Sequence, residues 1–325
     1  MGIRNLNKYI TNNCNETAIR KIHIRDLAGK KIAVDASIYI YRFLGENKLV
    51  DHMYLMTSIF RAYDIIPVFV FDGTPPAEKA AIIQERKEQK QAAQEMYYAI
   101  KEQISKSADG EEKHEMEMEM DRLKKQFIRI KDKDIVMVKN ILDKSGIAWL
   151  DAPGEADEMC AYLSRTKKVD ACMSEDMDMF AYGCPCVLRN FSIMKQSIVV
   201  YNLPEILYQL RMNMIEFRQV LALSGNDYNK DESTNLHEVL NMFHKYKSDV
   251  ILMDSEVPSF YDWLEINKHI INDRNVLEKV YKMFGLIDVL DNEYRNYVVC
   301  KKNVNVDELR KILEPEGFVF VECKI

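Results

Sequence analysis

KKIAVD at residues 30–35 and IIPVFVFD at 65–72 decide how this chain is read. Each is a short run rich in Val, Ile or Phe that ends on an aspartate. Neither alternates polar with apolar positions, as a half-exposed strand would. Runs of this kind between helical stretches read as parallel strands buried on both faces. AWLD (148–151) and VDACMSE (169–175) repeat the pattern. The expected class is therefore α/β, a mainly parallel central sheet flanked by helices. In such a sheet the ligand crevice lies beyond the carboxyl ends of the strands. Asp35, Asp72, Glu155, Asp157, Asp176, Asp178 and Asp227 would then converge on one spot despite their distance in sequence.

Taken singly, an aspartate after a strand has another use, as the cap of the next helix. The set is harder to explain that way. Glu155/Asp157 and Asp176/Asp178 are doubled at i, i+2, whereas a cap needs one short polar side chain. Converging carboxylates repel unless cations neutralise them. Hard oxygen donors suit Mg²⁺, with Mn²⁺ as a substitute. The pattern is that of a two-metal phosphodiesterase.

With 325 residues, 47% of them hydrophobic, the chain can bury a substantial core. No apolar run approaches the ~20 residues of a transmembrane span, so no membrane role is expected. MGIRNL fits neither a signal peptide nor the myristoylation pattern, because position 6 is Leu6. The seven cysteines (14, 160, 172, 184, 186, 300, 323) are scattered, and Cys184-Pro-Cys186 has no second pair at zinc spacing. Reduced thiols in an intracellular protein are expected. A net charge of −6 first argues against a nucleic-acid partner. Its distribution reverses that. Residues 122–144 carry eight Lys/Arg against three Asp, and 79–106 carry six against four Glu.

Along the chain, residues 1–75 read as helix, strand, helix and strand. Pro75-Pro76 opens a long helix from Ala77 to about Ser105 whose middle, QERKEQKQAAQE, has no large apolar residue. Such a helix is not packed in a core, and suits a solvated arm or a ligand-contacting arch. A second helix is expected over about 113–145, with the acidic EEKHEMEMEMD (111–121) at the tip as a solubilising element. Strands in CPCVLRNF and SIVVYNL and three helices complete an α/β domain over 1–250. Its parts are 1–105, an arch at about 77–145, and 146–250. Residues 258–325 read as a small C-terminal helical accessory region.

MGIRNL, VDASIYIYRF, VFVFDGTPPAEKAAIIQER, LDAPGEADEMCAYL, SEDMDMFAYG and SGNDY resemble, in order and spacing, the blocks of flap endonucleases, the structure-specific 5′-nucleases related to the xeroderma-pigmentosum-G type. The resemblance covers residues 1–228. It implies a PIN-like 5′-nuclease fold and cleavage of branched or 5′-flap DNA to a 5′-phosphate and a 3′-hydroxyl, in replication, repair or recombination. It also implies two Mg²⁺ ions, one served by Asp35, Asp72, Glu155 and Asp157, the other by Asp176, Asp178 and Asp227. Lys79 and Arg86, seven residues apart and so on one helical face, would reach the scissile phosphate. There they would act with Asp176 and Asp178 in catalysis. Tyr41 would stack on a nucleobase, while Tyr39 reads as core. Gly2 would approach DNA, and Arg129 belongs to the basic, DNA-facing part of the arch.

Two departures matter. NDYNKDESTNLHEV replaces the glycine-rich hairpin that holds the downstream duplex in the family, and no Gly occurs between Gly225 and Gly285. The C-terminal GFVFVECKI lacks the sliding-clamp docking segment. Tail-less relatives occur in large DNA viruses, among other places. The expected protein is a monomer acting in the nucleus or at a site of viral DNA replication. The alternatives are a 5′→3′ exonuclease of the same fold, an RNase of the same class, and a catalytically weak DNA-binding recombination scaffold.

Overall fold

The computed structural model describes residues 2–104, 111–225, 235–251, 258–267, 274–285, 290 and 293–319, with the side chains of 111 and 112 left out. Its strands are β1 (Ile19–His23), β2 (Lys31–Asp35), β3 (Ile66–Phe71), β4 (Ala148–Asp151), β5 (Ala171–Met173), β6 (Cys186–Ser192) and β7 (Ser197–Asn202). They form one sheet in the order β1-β7-β6-β5-β2-β3-β4. The four pairings that link β4, β3, β2, β5 and β6 are all parallel, and β7 runs antiparallel to both β6 and β1. This is the mainly parallel sheet expected. After β4 the chain returns to place β5 on the other side of β2, so the connection reverses between β2 and β5. A crevice opens at such a reversal.

The continuous apolar runs have their predicted cause. Successive residues of β2 and β3 point to opposite faces, and both faces are covered. Ala33, Val68, Val70 and Cys172 enter one apolar cluster, and Ile32, Val34, Phe69 and Phe71 the other.

The helices on these faces are α1 (Leu6–Asn13), α2 (Ala36–Gly45), α3 (Leu49–Ala62), α4 (Ala80–Ile104), α5 (Glu111–Gln126), α6 (Asp132–Lys144), α7 (Ala156–Arg165), α8 (Asp178–Ala181), α9 (Leu203–Leu210), α10 (Met214–Leu223), α11 (Leu236–Ile251), α12 (Phe260–Ile266), α13 (Arg274–Met283) and α14 (Val306–Leu313). α4 and α5 pack mainly on each other, with the Tyr97 ring 5.3 Å from that of Phe127.

Three local expectations change. The helix expected over 113–145 is two helices, because Asp134 accepts from the backbone N–H of Lys131 (2.9 Å) and starts α6 afresh. The single helix expected between the strands at 30–35 and 65–72 breaks at Asn47, which has a φ of 53°, giving α2 and α3. β1 is an additional strand, pairing with β7 from Ile19↔Tyr201 to His23↔Ser197. Phe260, Trp263, Leu277 and Val280 lie in the first apolar cluster, and Leu309 and Leu313 in the second.

Candidate active site

The sheet delivers the acids to one edge. Asp35 is the last residue of β2 and caps α2 by accepting from the Ile38 N–H at 3.4 Å. Capping and a place in the site are thus compatible. Asp72 follows β3 in a tight turn. There the Gly73 N–H donates to the Gly154 carbonyl at 2.7 Å, and a Cβ on Gly73 would collide with the Ala152 carbonyl. Only glycine lets the two strand-end loops approach so closely. Glu155 is the residue before α7 and Asp157 lies in its first turn. Asp178 opens α8, and its backbone N–H donates to Asp176 at 2.9 Å.

The interior groups are mutually dependent. The Ser174 hydroxyl lies 3.2 Å from Asp35 Oδ2 and 3.3 Å from Asp157 Oδ1, and accepts from the Asp176 N–H at 3.1 Å. Burial, then the neighbouring Asp72, pushes the Asp35 carboxyl up to about 7. Burial raises Asp157 well above the usual carboxylate range, with Asp35, Asp176, Asp178 and Asp72 adding to it in that order. These shifts place five of the acids within electrostatic reach of one another.

Glu155 joins them through Lys79. That ammonium donates to Glu155 Oε1 at 2.8 Å and lies 2.7 Å from Oε2. Asp178 and Asp157 also favour its charged form. Lys79 is buried at 7% exposure. It closes the short turn Ala77–Lys79 ahead of α4 rather than sharing a helix with Arg86. Arg86 stands exposed on α4 and Arg129 is exposed between α5 and α6. Tyr41 is 40% exposed, with Lys90 Nζ 4.8 Å above its ring, whereas Tyr39 is fully buried. Gly2 has a φ of 72°, and a Cβ there would strike Asp176 and Asp178. Its main chain therefore runs against the acid pair. Asp227 lies outside the described residues.

Sequence reading missed the polar residues that hold these acids. Ser37 bonds Asp72, whose other oxygen accepts from the Ala156 N–H. Arg189 donates to the Glu175 carbonyl at 3.0 Å and to Asn7 at 2.7 Å, tying α1 to the segment that carries Asp176. Ser37 and Ser174, each two residues from an acid, were the available signal. Arg189 had none.

The donors are of the kind Mg²⁺ takes: carboxylates, all but the exposed Asp72 at least partly buried, two of them pushed towards their protonated forms by burial and by their neighbours. Among the described residues, no three such side chains already form a metal cage. Lys79, Ser37 and Ser174 occupy part of their capacity instead. Cation entry would replace those internal contacts, so the set fits a divalent ion.

Comparison with known proteins agrees with this geometry. Residues 1–93 match the XPG N-terminal domain and 146–227 the XPG I-region. Flap endonuclease 1 of Mus musculus is 30% identical over 285 residues, covering 81% of this chain and 72% of that protein. Flap endonuclease 1 of Homo sapiens is 28% identical over 311 residues, covering 90% and 77%. In fold, the catalytic core of Rad2 in complex with DNA substrate aligns with a TM-score of 0.66 at 23% identity, over 97% of this chain and 94% of that one. With its acids gathered at the reversal of a parallel sheet and both XPG domain matches in sequence order, the chain belongs to the flap endonuclease and XPG family of 5′-nucleases.

Proposed function

We propose that this protein is a structure-specific 5′-nuclease that hydrolyses phosphodiester bonds of branched or 5′-flap DNA during replication, repair or recombination. The convergence of six acids beside Lys79, at the foot of the α4–α5 arch, carries the reading. Asp35, Asp72, Glu155 and Asp157 would hold one Mg²⁺ and Asp176, Asp178 and Asp227 the other. When bound, such ions supply Lewis acidity and neutralise charge at the reacting phosphate.

The remaining work falls to the chain itself. Lys79 sits where a point charge can stabilise a phosphate. The exposed Tyr41 offers a base-stacking face, and Arg86 and Arg129 supply phosphate contacts along the arch. Residues 1–250 would form the nuclease domain and 258–325 its accessory region, working as a monomer. Sequence-tolerant stacking and backbone contacts suit an enzyme that reads DNA shape.

Cleavage of a double-flap DNA in Mg²⁺, with and without EDTA, tests this against blunt duplex and single-stranded RNA. Incision near the flap junction that EDTA abolishes is expected. Asp176→Asn should abolish turnover while DNA affinity stays near wild type. Stepwise degradation of blunt duplex would favour the exonuclease, and tight binding without cleavage the scaffold.

A further inference from the structure

α8 is a single turn of four residues, Asp178–Ala181, too short to be stable by itself. Its first residue is Asp178, so whatever fixes its far end also fixes that carboxylate. Two guanidinium groups do so. Arg165, at the end of α7, donates to the Tyr182 carbonyl at 3.0 Å, and Arg218, on α10, donates through Nε to the Ala181 carbonyl at 2.9 Å. Arg218 is buried at 9% exposure. Its guanidinium also lies over the Tyr281 ring of α13, 5.5 Å from the ring centre. The neighbouring Phe284 ring meets Tyr182 edge-on at 5.2 Å. A buried charge held by one carbonyl and the face of an aromatic ring is costly compared with an apolar side chain of similar size. Packing alone does not explain an arginine there. Capping the carbonyl end of α8 does, since the helix leaves those oxygens unsatisfied.

We infer that Arg218, packed over the Tyr281 ring, is a positioning residue for Asp178, and that α13 thereby braces the metal-binding acids. This rests on the proposed role of Asp178 as a metal ligand. It gives residues 258–319 a task that their sequence does not disclose.

The test is Mn²⁺ binding to the full chain, followed by electron paramagnetic resonance in the absence of DNA. Arg218→Met should weaken the Mn²⁺ midpoint about tenfold, as loss of an outer-shell partner typically does. Under subsaturating metal it should lower kcat with little change in KM for flap DNA. Arg218→Lys, which keeps one donor, should recover most of the affinity, and Tyr281→Leu, which removes the ring beneath the guanidinium, should produce a smaller shift in the same direction. Tyr261→Phe is the control. Its hydroxyl donates to the Gln219 carbonyl at 3.0 Å, on the same helix as Arg218 but away from α8. It should lower Tm without moving the Mn²⁺ midpoint. An unchanged midpoint in Arg218→Met, or an equal shift in Tyr261→Phe, overturns the brace while leaving the nuclease reading intact. A wild-type protein that binds no Mn²⁺ overturns both.

Discussion

At the residue scale, Lys79 is the side chain whose setting says most. It is the one buried lysine among the described residues, and its ammonium lies on Glu155. A point charge held beside the acids can stabilise charge on a phosphate brought to them. Lys79→Ala should therefore leave DNA affinity within about threefold of wild type but lower single-turnover rate by roughly 10²–10³, the usual cost of one transition-state donor. A loss confined to binding would make it a phosphate clamp instead. The sequence pointed to Lys79 by its place in a recognisable block. It could not indicate the Glu155 contact, because that depends on a turn, not a helix, at 77–79. Ser174 shows the same limit. Nothing in SEDMD says that its hydroxyl stands between Asp35 and Asp157, since the three meet only once β2 and β5 are paired.

At the scale of elements, the arch is set apart from the body. Over its 25 residues, α4 buries only Ala93, and its apolar contacts are chiefly with α5 and Phe127. Phe127→Ala should loosen this hairpin at a local cost of about 2 kcal/mol, while the global Tm barely moves. Amide exchange across 80–104 and 111–126 should quicken, and flap cleavage should fall with it. Unaltered exchange would mean that the seam is held elsewhere. The long strands and this polar helix were legible because burial on two faces and burial on none leave plain patterns. β1 was not. IRKIH is a short edge strand with exposed Arg20 and Lys21, charges that protect an edge and dilute its apolar signal. The α2–α3 break at Asn47 and the α5–α6 break before Asp132 did leave marks: GEN is a turn sequence, and two aspartates open α6. Apolar continuity across each break outweighed them.

For the whole molecule, the gathered acids are a liability to folding as well as the basis of function. Asp35 is pushed up to about 7 by burial and then by Asp72, and Asp157 is raised well above normal by burial and then by Asp35. Both shifts are upward. Between the ordinary carboxylate range near 4 and about 7, the metal-free folded chain therefore binds more protons than the unfolded chain. Stability held at the acid end of this window is lost as pH rises through it. Glu78, Glu119, Asp262 and Glu308 are shifted the opposite way by surface hydrogen bonds to Lys279, Arg122, Ser259 and Lys311. They lie at the surface, where solvent screens them, and Mg²⁺ does not touch them. The difference in Tm between Mg²⁺ and EDTA cancels their effect and isolates the site. That difference should be small at pH 5 and widen up to pH 7.5, each kcal/mol being worth roughly 1.5 °C for a chain of this size. Asp157→Asn should raise the EDTA Tm at pH 7.5 while weakening Mg²⁺ stabilisation, because it removes repulsion and a ligand together. A gap that stays constant from pH 5 to 7.5 would mean that the carboxylates do not repel one another when folded, and convergence could then no longer be the reason the chain needs a cation.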